Sequence, residues 1–126
     1  MKILLAEDDY NSSKYLISIL EKYGDCDIAV DGQEAVDMYK YAAEDGLAYD
    51  FLLIDLIMPK IQGYIVTEEI RKFEEKNELA PSFVTLMTVL TEPDKDLDSH
   101  PLFNAFLMKP VQLEQLESIL NEIVNN

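Results

Sequence analysis

The chain has 126 residues, 48% of them hydrophobic and 28% charged, which is typical of one globular domain with a single core. Its formal net charge of −15 repels phosphate backbones, and no basic stripe is visible, so the sequence argues against direct binding of nucleic acid. The longest apolar runs are far too short to span a bilayer, and acidic residues from Glu7 onward interrupt the N-terminal run before it reaches signal-peptide length. We therefore expect a cytoplasmic protein without membrane insertion.

Short apolar runs alternate along the chain with segments of helical periodicity, which predicts repeated βα units and a parallel sheet. Five strands are predicted in chain order: Lys2–Ala6, Cys26–Val30, Phe51–Ile54, Phe83–Met87 and Ala105–Met108. The third run is apolar throughout, as expected for a central strand that is buried on both faces.

Helical patterns lie between and after these runs. The first three helices are predicted to start near Asn11, Asp31-Gly32 and Gly63, and the first two are predicted to end at Gly24 and near Gly46. The third helix is predicted to have an apolar and a charged face, with Val66, Ile70 and Phe73 inward and Glu68, Glu69, Arg71 and Lys72 outward. The last helix is predicted to bury Leu113, Leu116, Leu120 and Ile123. In the segment 93–104, Pro101 allows little more than a turn or two, so a short or irregular fourth helix is expected.

Five βα units with right-handed crossovers predict a doubly wound α/β fold of the (βα)5, flavodoxin-like type, formed as a single domain by residues 1–126. The expected parallel sheet has five strands in the order 2-1-3-4-5. Ligands of such sheets bind at the carboxyl ends of the strands, beside the point where the strand order reverses. Residues that follow the predicted strands are therefore the candidates for function.

Polar side chains stand at four of these strand ends. They are Glu7, Asp8 and Asp9 after the first strand, Asp55 after the third, Thr88 after the fourth and Lys109 after the fifth. Clustered carboxylates repel one another unless a hard cation lies among them, and oxygen ligands suit magnesium or manganese. A carboxylate beside such a metal can act as a nucleophile toward phosphorus, while an ammonium and a hydroxyl hold the phosphoryl oxygens.

Four stretches carry a resemblance to a known family: KILLAEDD at the first strand, IDLIMPKIQG at the third, LMTVL at the fourth and FLMKP at the fifth. In this order and spacing the chain resembles, over essentially its whole length, the CheY-like receiver domain of two-component response regulators. The resemblance implies that a histidine kinase or a histidine phosphotransfer protein passes a phosphoryl group to Asp55. It also implies that this event switches a face that binds a downstream protein target. Such a domain is a signalling phosphoacceptor that catalyses only its own phosphorylation and dephosphorylation, and not a true enzyme.

The same resemblance implies a magnesium site, with manganese as an alternative ion. Asp8 and Asp55 would ligate the metal directly, Glu7 would do so through water, and the backbone carbonyl of Ile57 would complete the protein ligands. The simpler alternative for the acids after the first strand is capping of the helix that follows, where a negative charge suits the helix dipole. Asp9 is assigned only that capping role.

Thr88 and Lys109 are the residues that the resemblance places on the phosphoryl oxygens, and the Lys109-Pro110 bond is expected to be cis. Thr85 and Thr91 lie close by, so the choice of Thr88 depends on the LMTVL pattern and on its distance from Lys109. Phe106 would be the aromatic switch that turns inward when Thr88 shifts. It would carry the signal to the face formed by the fourth helix, the fifth strand and the last helix.

Three features depart from the family pattern. Val89 stands where a smaller alanine is usual, which crowds access to the phosphoryl group. Ile57 and Leu90, two residues beyond Asp55 and Thr88, are both apolar, and neither can orient an attacking water. We therefore expect slow self-dephosphorylation. The irregular segment 93–104 is expected to alter the face that recognises the target.

Other functions fit the residues less well. A phosphatase of the haloacid-dehalogenase type needs a general acid where this chain has Ile57, and a flavodoxin-like cofactor site needs a hydroxyl- and glycine-rich loop where Glu7, Asp8 and Asp9 would repel phosphate. No GxxxxGK motif for nucleotide binding occurs. A degenerate receiver that acts only as an interaction module remains an alternative, as does excision of the chain from a longer protein in place of a stand-alone receiver.

Overall fold

The computed structural model describes residues 1–89 and 102–125. Five parallel strands form one sheet in the order β2-β1-β3-β4-β5, which confirms the predicted order. The strands are β1 (Lys2–Ala6), β2 (Asp25–Ala29), β3 (Phe51–Asp55), β4 (Phe83–Thr88) and β5 (Ala105–Met108). β2 begins and ends one residue earlier than predicted, and β3 and β4 each extend by one residue to include Asp55 and Thr88.

Helices cover both faces of the sheet, as the doubly wound prediction requires. The described residues contain α1 (Tyr10–Leu20), α2 (Gly32–Glu44), α3 (Gly63–Lys76) and α4 (Leu113–Val124). Aspartates cap the first two, since Asp9 accepts a hydrogen bond from the Ser12 amide and Asp31 accepts one from the Glu34 amide, both at 2.8 Å. The helix predicted within 93–104 lies outside the described residues, apart from 102–104, which are not helical.

The core consists of two apolar layers that share β3, whose five residues are all buried. Leu52 and Ile54 point to the layer that α2 and α3 cover. Phe51 and Leu53 point to the opposite layer, which α1 and α4 cover. Successive strand residues face opposite sides, so a strand buried on both faces has a continuous apolar run, which is why Phe51–Ile54 is recognisable from sequence and why the buried Asp55 at its end stands out.

Two predicted helix faces need correction. Arg71, predicted to face outward, lies mostly buried because its guanidinium donates to Glu74 Oε1 at 2.8 Å and to the carbonyl of Leu102 at 2.7 Å. Leu113, predicted to face inward, is partly exposed at the first turn of α4, whereas Leu116 is fully buried. Amphipathic spacing predicts which face of a helix is buried. It does not predict which long polar side chains fold back over the edge of that face.

The first helix ends earlier than predicted, at Leu20 and not near Gly24. The residues between continue as a turn in which the Tyr23 amide donates to the Leu20 carbonyl at 2.9 Å. Gly24 is required for a different reason, because a Cβ there would lie 1.9 Å from the carbonyl oxygen of Met1. The glycine thus marks a close backbone approach at the start of β1 and β2.

Within residues 1–89 and 102–125, no helix combines the length and the apolar character needed to cross a membrane.

Candidate functional site

Three carboxylates gather where β1 and β3 end. Ala6 pairs with Ile54 across the two strands, so the residues that follow them, Glu7 and Asp55, emerge side by side. One carboxylate oxygen from each of Glu7, Asp8 and Asp55 lies within 4.8 Å of the others. Glu7 and Asp55 are buried and Asp8 is exposed, so the group opens to solvent on the side of Asp8.

A single ammonium bridges the two buried carboxylates. Lys109 Nζ lies 2.6 Å from Asp55 Oδ2 and 2.7 Å from Glu7 Oε1. Its backbone amide donates to the Thr88 carbonyl at 2.7 Å, which extends the β4–β5 pairing by one residue, and the Lys109-Pro110 bond is cis as expected. The lysine that closes β5 therefore reaches past β4 to the acids of β1 and β3.

The electrostatics of the cluster follow from its burial and from its excess of acids. Burial, reinforced by hydrogen bonding to Asp55 and opposed by Lys109, raises the pKa of Glu7 to about 7. Burial alone would lower the pKa of Lys109, but its hydrogen bonds to Asp55 and Glu7 outweigh that effect and raise it. The lysine thus stays charged, while burial beside Asp55 disfavours the ionised form of Glu7.

The residues fit a hard divalent cation. Glu7 Oε2 is buried and accepts no hydrogen bond from any described residue. A buried carboxylate oxygen without a partner is costly, and a cation among the three acids would compensate its charge. Carboxylate oxygens are the ligands that magnesium prefers, and the exposed Asp8 leaves one side open to water or a second ligand.

The loop after β3 is folded tightly against Asp55. The Ile57 amide donates to Asp55 Oδ1 at 3.1 Å, and the Gly63 amide donates to the Leu56 carbonyl at 2.8 Å. A Cβ at position 63 would lie 2.4 Å from the carbonyl oxygen of Asp55, so only glycine lets α3 begin this close to the strand end. The backbone of Ile57 is held beside the carboxylate, while its side chain is 60% exposed.

A contact between this loop and the start of α2 was not predicted from the sequence. Lys60 has a positive φ of 70° and places its ammonium 3.4 Å from Asp31 Oδ2, next to the N-terminus of α2. The Gly32 amide also donates to the Pro59 carbonyl at 3.3 Å, and a Cβ on Gly32 would lie 2.0 Å from the Ile61 carbonyl oxygen. The Asp31-Gly32 pair, interpreted from sequence only as a turn and helix start, therefore also anchors the loop that carries Ile57.

Thr88 is the threonine at the strand end. Asp55 pairs with Met87, which places Thr88 one position beyond the level of Asp55, and its side chain is buried. Thr85 is buried in the middle of β4, away from the strand end, and Thr91 lies outside the described residues. The position that the sequence favours therefore lies beside Asp55 and Lys109, although its role toward a phosphoryl group stays a prediction.

Two residues that depart from the family pattern, Ile57 and Val89, are exposed next to site residues in the chain. Val89 is 65% exposed directly after Thr88, so a branched side chain follows the end of β4. Leu90 lies outside the described residues. These two exposed positions, which we call the apolar rim, carry no polar side chain that could orient a water.

Phe106 lies in β5, opposite Leu86 of β4. It is half-buried against the layer that α2 and α3 cover, and its ring centroid lies 6.0 Å from that of Phe103. Its switching role stays a prediction.

Comparison with known proteins gives the family directly, since the model of the response regulator receiver domain matches residues 3–121. The chain belongs to this family. It is therefore a receiver domain of two-component and phosphorelay signalling, with the fold that the sequence predicts.

Relatives and solved structures agree with this family. The peroxide stress-activated histidine kinase mak1 of Schizosaccharomyces pombe is 31% identical over 98% of this chain, which spans only 8% of that kinase. The receiver domain of Saccharomyces cerevisiae Ssk1, solved with the histidine phosphotransfer protein Ypd1, superposes with a TM-score of 0.85 at 26% identity over 97% of this chain and 87% of that one. The receiver domain of the sensor kinase PA1611 from Pseudomonas aeruginosa PAO1, with magnesium in its active-site cleft, gives a TM-score of 0.78 at 26% identity over 99% and 98% of the two chains.

Proposed function

We propose that this receiver accepts a phosphoryl group on Asp55 in a magnesium-dependent reaction, with a histidine kinase or a histidine phosphotransfer protein as the donor. The observation that supports this most strongly is the contact of 2.6 Å between Asp55 Oδ2 and Lys109 Nζ inside a cluster of three carboxylates. A carboxylate at a strand end that is paired to an ammonium and surrounded by further acids can react with an anionic donor only when a cation compensates the negative charge. This is the behaviour expected of a magnesium-dependent phosphoacceptor.

The protein residues have separate tasks in this proposal. Asp8, Asp55 and the backbone carbonyl of Ile57 would hold the metal directly and Glu7 would hold it through water. The metal would neutralise the carboxylates and the phosphoryl oxygens so that the two anions can approach. Lys109 already lies at hydrogen-bonding distance from Asp55 and binds a phosphoryl oxygen once that carboxylate is modified. Thr88, buried at the end of β4, donates its hydroxyl to another phosphoryl oxygen.

The transfer itself is a displacement at phosphorus. A bond forms between a carboxylate oxygen of Asp55 and the phosphorus atom while the phosphorus–nitrogen bond of the donor phosphohistidine breaks. The electron pair of the broken bond leaves with the imidazole nitrogen, and the product is an acyl phosphate. The Ile57 amide, 3.1 Å from Asp55 Oδ1, holds the carboxylate plane during this step.

The proposed partners follow from the family. The similarity to a receiver domain solved with a phosphotransfer protein, and to a receiver within a histidine kinase, supports a protein phosphodonor. Phosphorylation would then alter the face near Phe106 that a downstream protein binds, and the proposal places these events in the cytoplasm. Direct contact with nucleic acid is not part of it, because the chain carries a net charge of −15.

Intact mass spectrometry tests the proposal. The protein is incubated with phosphoramidate, once with magnesium and once with excess chelator, and the gain of one phosphoryl group is expected only with magnesium. Asp55→Asn is expected to abolish the gain, whereas Asp25→Asn, at an exposed position in β2, should keep it. Absence of any gain in the unmodified protein would favour an inert interaction module. Steady release of inorganic phosphate from a small phosphoester would instead favour a phosphatase.

A further inference from the structure

A second surface feature lies at the edge of the sheet where the strands begin, which we call the amino edge. The carboxylate cluster lies at the opposite edge, where the strands end, and is called the carboxyl-edge site below. The feature at the amino edge is an open groove of about 540 Å³ lined chiefly by Asp37, Met38, Tyr41, Asp45, Leu47 and Tyr49, which we call the α2 groove. Lys2, at the start of β1, also lines it, whereas Glu7 follows the other end of that strand. Roughly 17 Å of extended chain therefore separate Lys2 in the groove from Glu7 in the carboxylate cluster.

The spacing along α2 explains the chemistry of the groove. Asp37, Tyr41 and Asp45 recur every four residues, so an aromatic ring lies between two carboxylates along one face of the helix and its C-terminal cap. Met38 and Ala42 follow at the same spacing and pack against the core beneath. Tyr41 is 73% exposed and Leu47 is 61% exposed, so the groove presents aromatic and aliphatic surface next to charge.

The negative charge of the groove is not compensated by its one cation. Asp27, Asp37 and Asp45 line it together with Lys2, and among the described residues none of these aspartates forms an ion pair. The Lys2 ammonium is already engaged, since it donates to the Leu47 carbonyl at 2.8 Å and lies 4.7 Å from the centroid of the Tyr49 ring. Asp27 Oδ2 accepts a hydrogen bond from the Tyr49 hydroxyl at 2.7 Å, and Asp37 Oδ1 accepts one from Gln33 Nε2 at 2.9 Å. The second oxygen of Asp37 and the carboxylate of Asp45 are therefore what the groove offers to a cation from outside.

Charge also selects the occupant. A second copy of this chain carries a net charge of −15, and nucleic acids and anionic membranes are negative as well, so all three are repelled. Arginine pairs with carboxylates through its planar fork and stacks on aromatic rings, which matches the order of Asp37, Tyr41 and Asp45.

We propose that the α2 groove binds a basic segment of a protein partner, with an arginine between Asp37 and Asp45 against Tyr41 and an apolar side chain next to Leu47. The interaction goes beyond the phosphoacceptor function and does not depend on it, because the groove shares no residue with the carboxyl-edge site. The receiver would thereby bind a partner through a basic segment that is separate from any phosphohistidine the partner carries.

A peptide probe tests this proposal. An acetylated, amidated hexapeptide of alternating arginine and leucine is titrated into ¹⁵N-labelled protein at about 0.15 M salt, where exposed charges are largely screened beyond about 8 Å. The largest amide shifts are expected in residues 37–47 and at Tyr49. The same peptide with serine in place of leucine should bind about tenfold more weakly, because it cannot cover the apolar surface beside Leu47.

Matched variants separate a specific site from attraction to any acidic surface. Asp37→Asn with Asp45→Asn, and separately Tyr41→Ala, should each weaken binding by about tenfold, as two exposed ion pairs or one stacked ring can account for. The control is Glu114→Gln with Glu122→Gln, two exposed acids with the same eight-residue spacing on α4, which should leave the affinity unchanged. Equal loss in both double variants, equal affinity for the serine peptide, or shifts spread over the whole acidic surface would overturn the proposal.

Discussion

Two clusters of buried charge lie at opposite edges of the sheet, and they are paired very differently. At the amino edge, Arg71 and Glu74 are matched one to one. The arginine donates to Glu74 Oε1, to the carbonyls of Ser82 and Leu102 and to Asn104 Oδ1, all within 2.9 Å. The other oxygen of Glu74 accepts hydrogen bonds at 2.7 Å from the Tyr39 hydroxyl and the Ser82 amide.

At the carboxyl edge the pairing is incomplete. Lys109 faces the three acids Glu7, Asp8 and Asp55 alone, and Glu7 Oε2 accepts no hydrogen bond from the part of the chain that the structure describes. The complete pairing at the amino edge connects α2, α3 and the residues that precede β4 and β5, so it stabilises the fold. Incomplete pairing at the other leaves charge that a ligand can compensate. Buried charges of similar composition thus differ in function through how fully the fold itself satisfies them.

The largest expected effect is on the amino-edge cluster. Arg71→Met should lower the free energy of unfolding by about 3–5 kcal/mol, because it leaves the Glu74 carboxylate buried without a counter-charge. Urea denaturation measures this. Lys72→Met on the exposed side of α3, which removes only a long contact of 3.9 Å with Glu69, should cost no more than about 1 kcal/mol. Equal costs in the two variants would show that the Arg71 cluster is not a structural clamp.

Magnesium should distinguish the two edges. At a hundredfold excess over its dissociation constant it should raise the free energy of unfolding by about 2.7 kcal/mol, because it binds only where the fold has gathered the carboxylates. Urea denaturation with magnesium and with excess chelator gives the increment. The Arg71→Met protein should show the same increment, since its substitution lies at the other edge. No increment in the unmodified protein would contradict the assignment of the metal site.

The lifetime of the phosphorylated form tests the apolar rim. Ile57 is exposed beside Asp55 but cannot hydrogen-bond a water, so decay of the phosphorylated protein should be slow. Ile57→Asn should accelerate decay by about tenfold, a change of about 1.4 kcal/mol in the barrier. Phosphate release after removal of the donor measures both rates. Rapid decay in the unmodified protein would show that its apolar rim does not limit water attack.

The smallest effect is expected from the exposed acid of the cluster. Without magnesium, Asp8→Asn should stabilise the fold by about 0.2–1 kcal/mol, because it removes one of three mutually repelling carboxylates at the solvent side. The same variant should lose most of the magnesium increment. Thermal or urea unfolding in chelator and in magnesium measures both changes. A variant that is destabilised in chelator would mean that Asp8 supports the fold and not a ligand.

Sequence reasoning predicted the carboxyl edge far better than the amino edge. Strand ends in a parallel sheet meet at one edge, so Glu7, Asp55 and Lys109 could be brought together from strand order alone. The buried cluster around Arg71 could not be predicted in this way, because partners of its guanidinium precede β4 and β5 and the position of Arg71 along α3 suggests an exposed side chain. Glu74 did carry a usable signal, since it lies four residues beyond Ile70 on the buried stripe of α3, where an acid requires a partner.

Other misses concern backbone contacts that apolar periodicity does not encode. The hydrogen bond from the Gly32 amide to the Pro59 carbonyl depends on how the loop after β3 meets α2, and the close approach of Gly63 to Asp55 depends on how α3 enters the sheet edge. Sequence indicates a turn at such positions but not which backbone atoms it brings into contact.

The most direct test of the central claim is to locate the phosphoryl group. After reaction with phosphoramidate and magnesium, borohydride reduces an acyl phosphate to an alcohol, and tandem mass spectrometry of the digested protein identifies the residue that carried it. Our account predicts homoserine at position 55 alone, with Asp8 and Asp9 unmodified in the same sample. Reduction at another aspartate, or a phosphorylated protein that borohydride leaves unchanged, would contradict it.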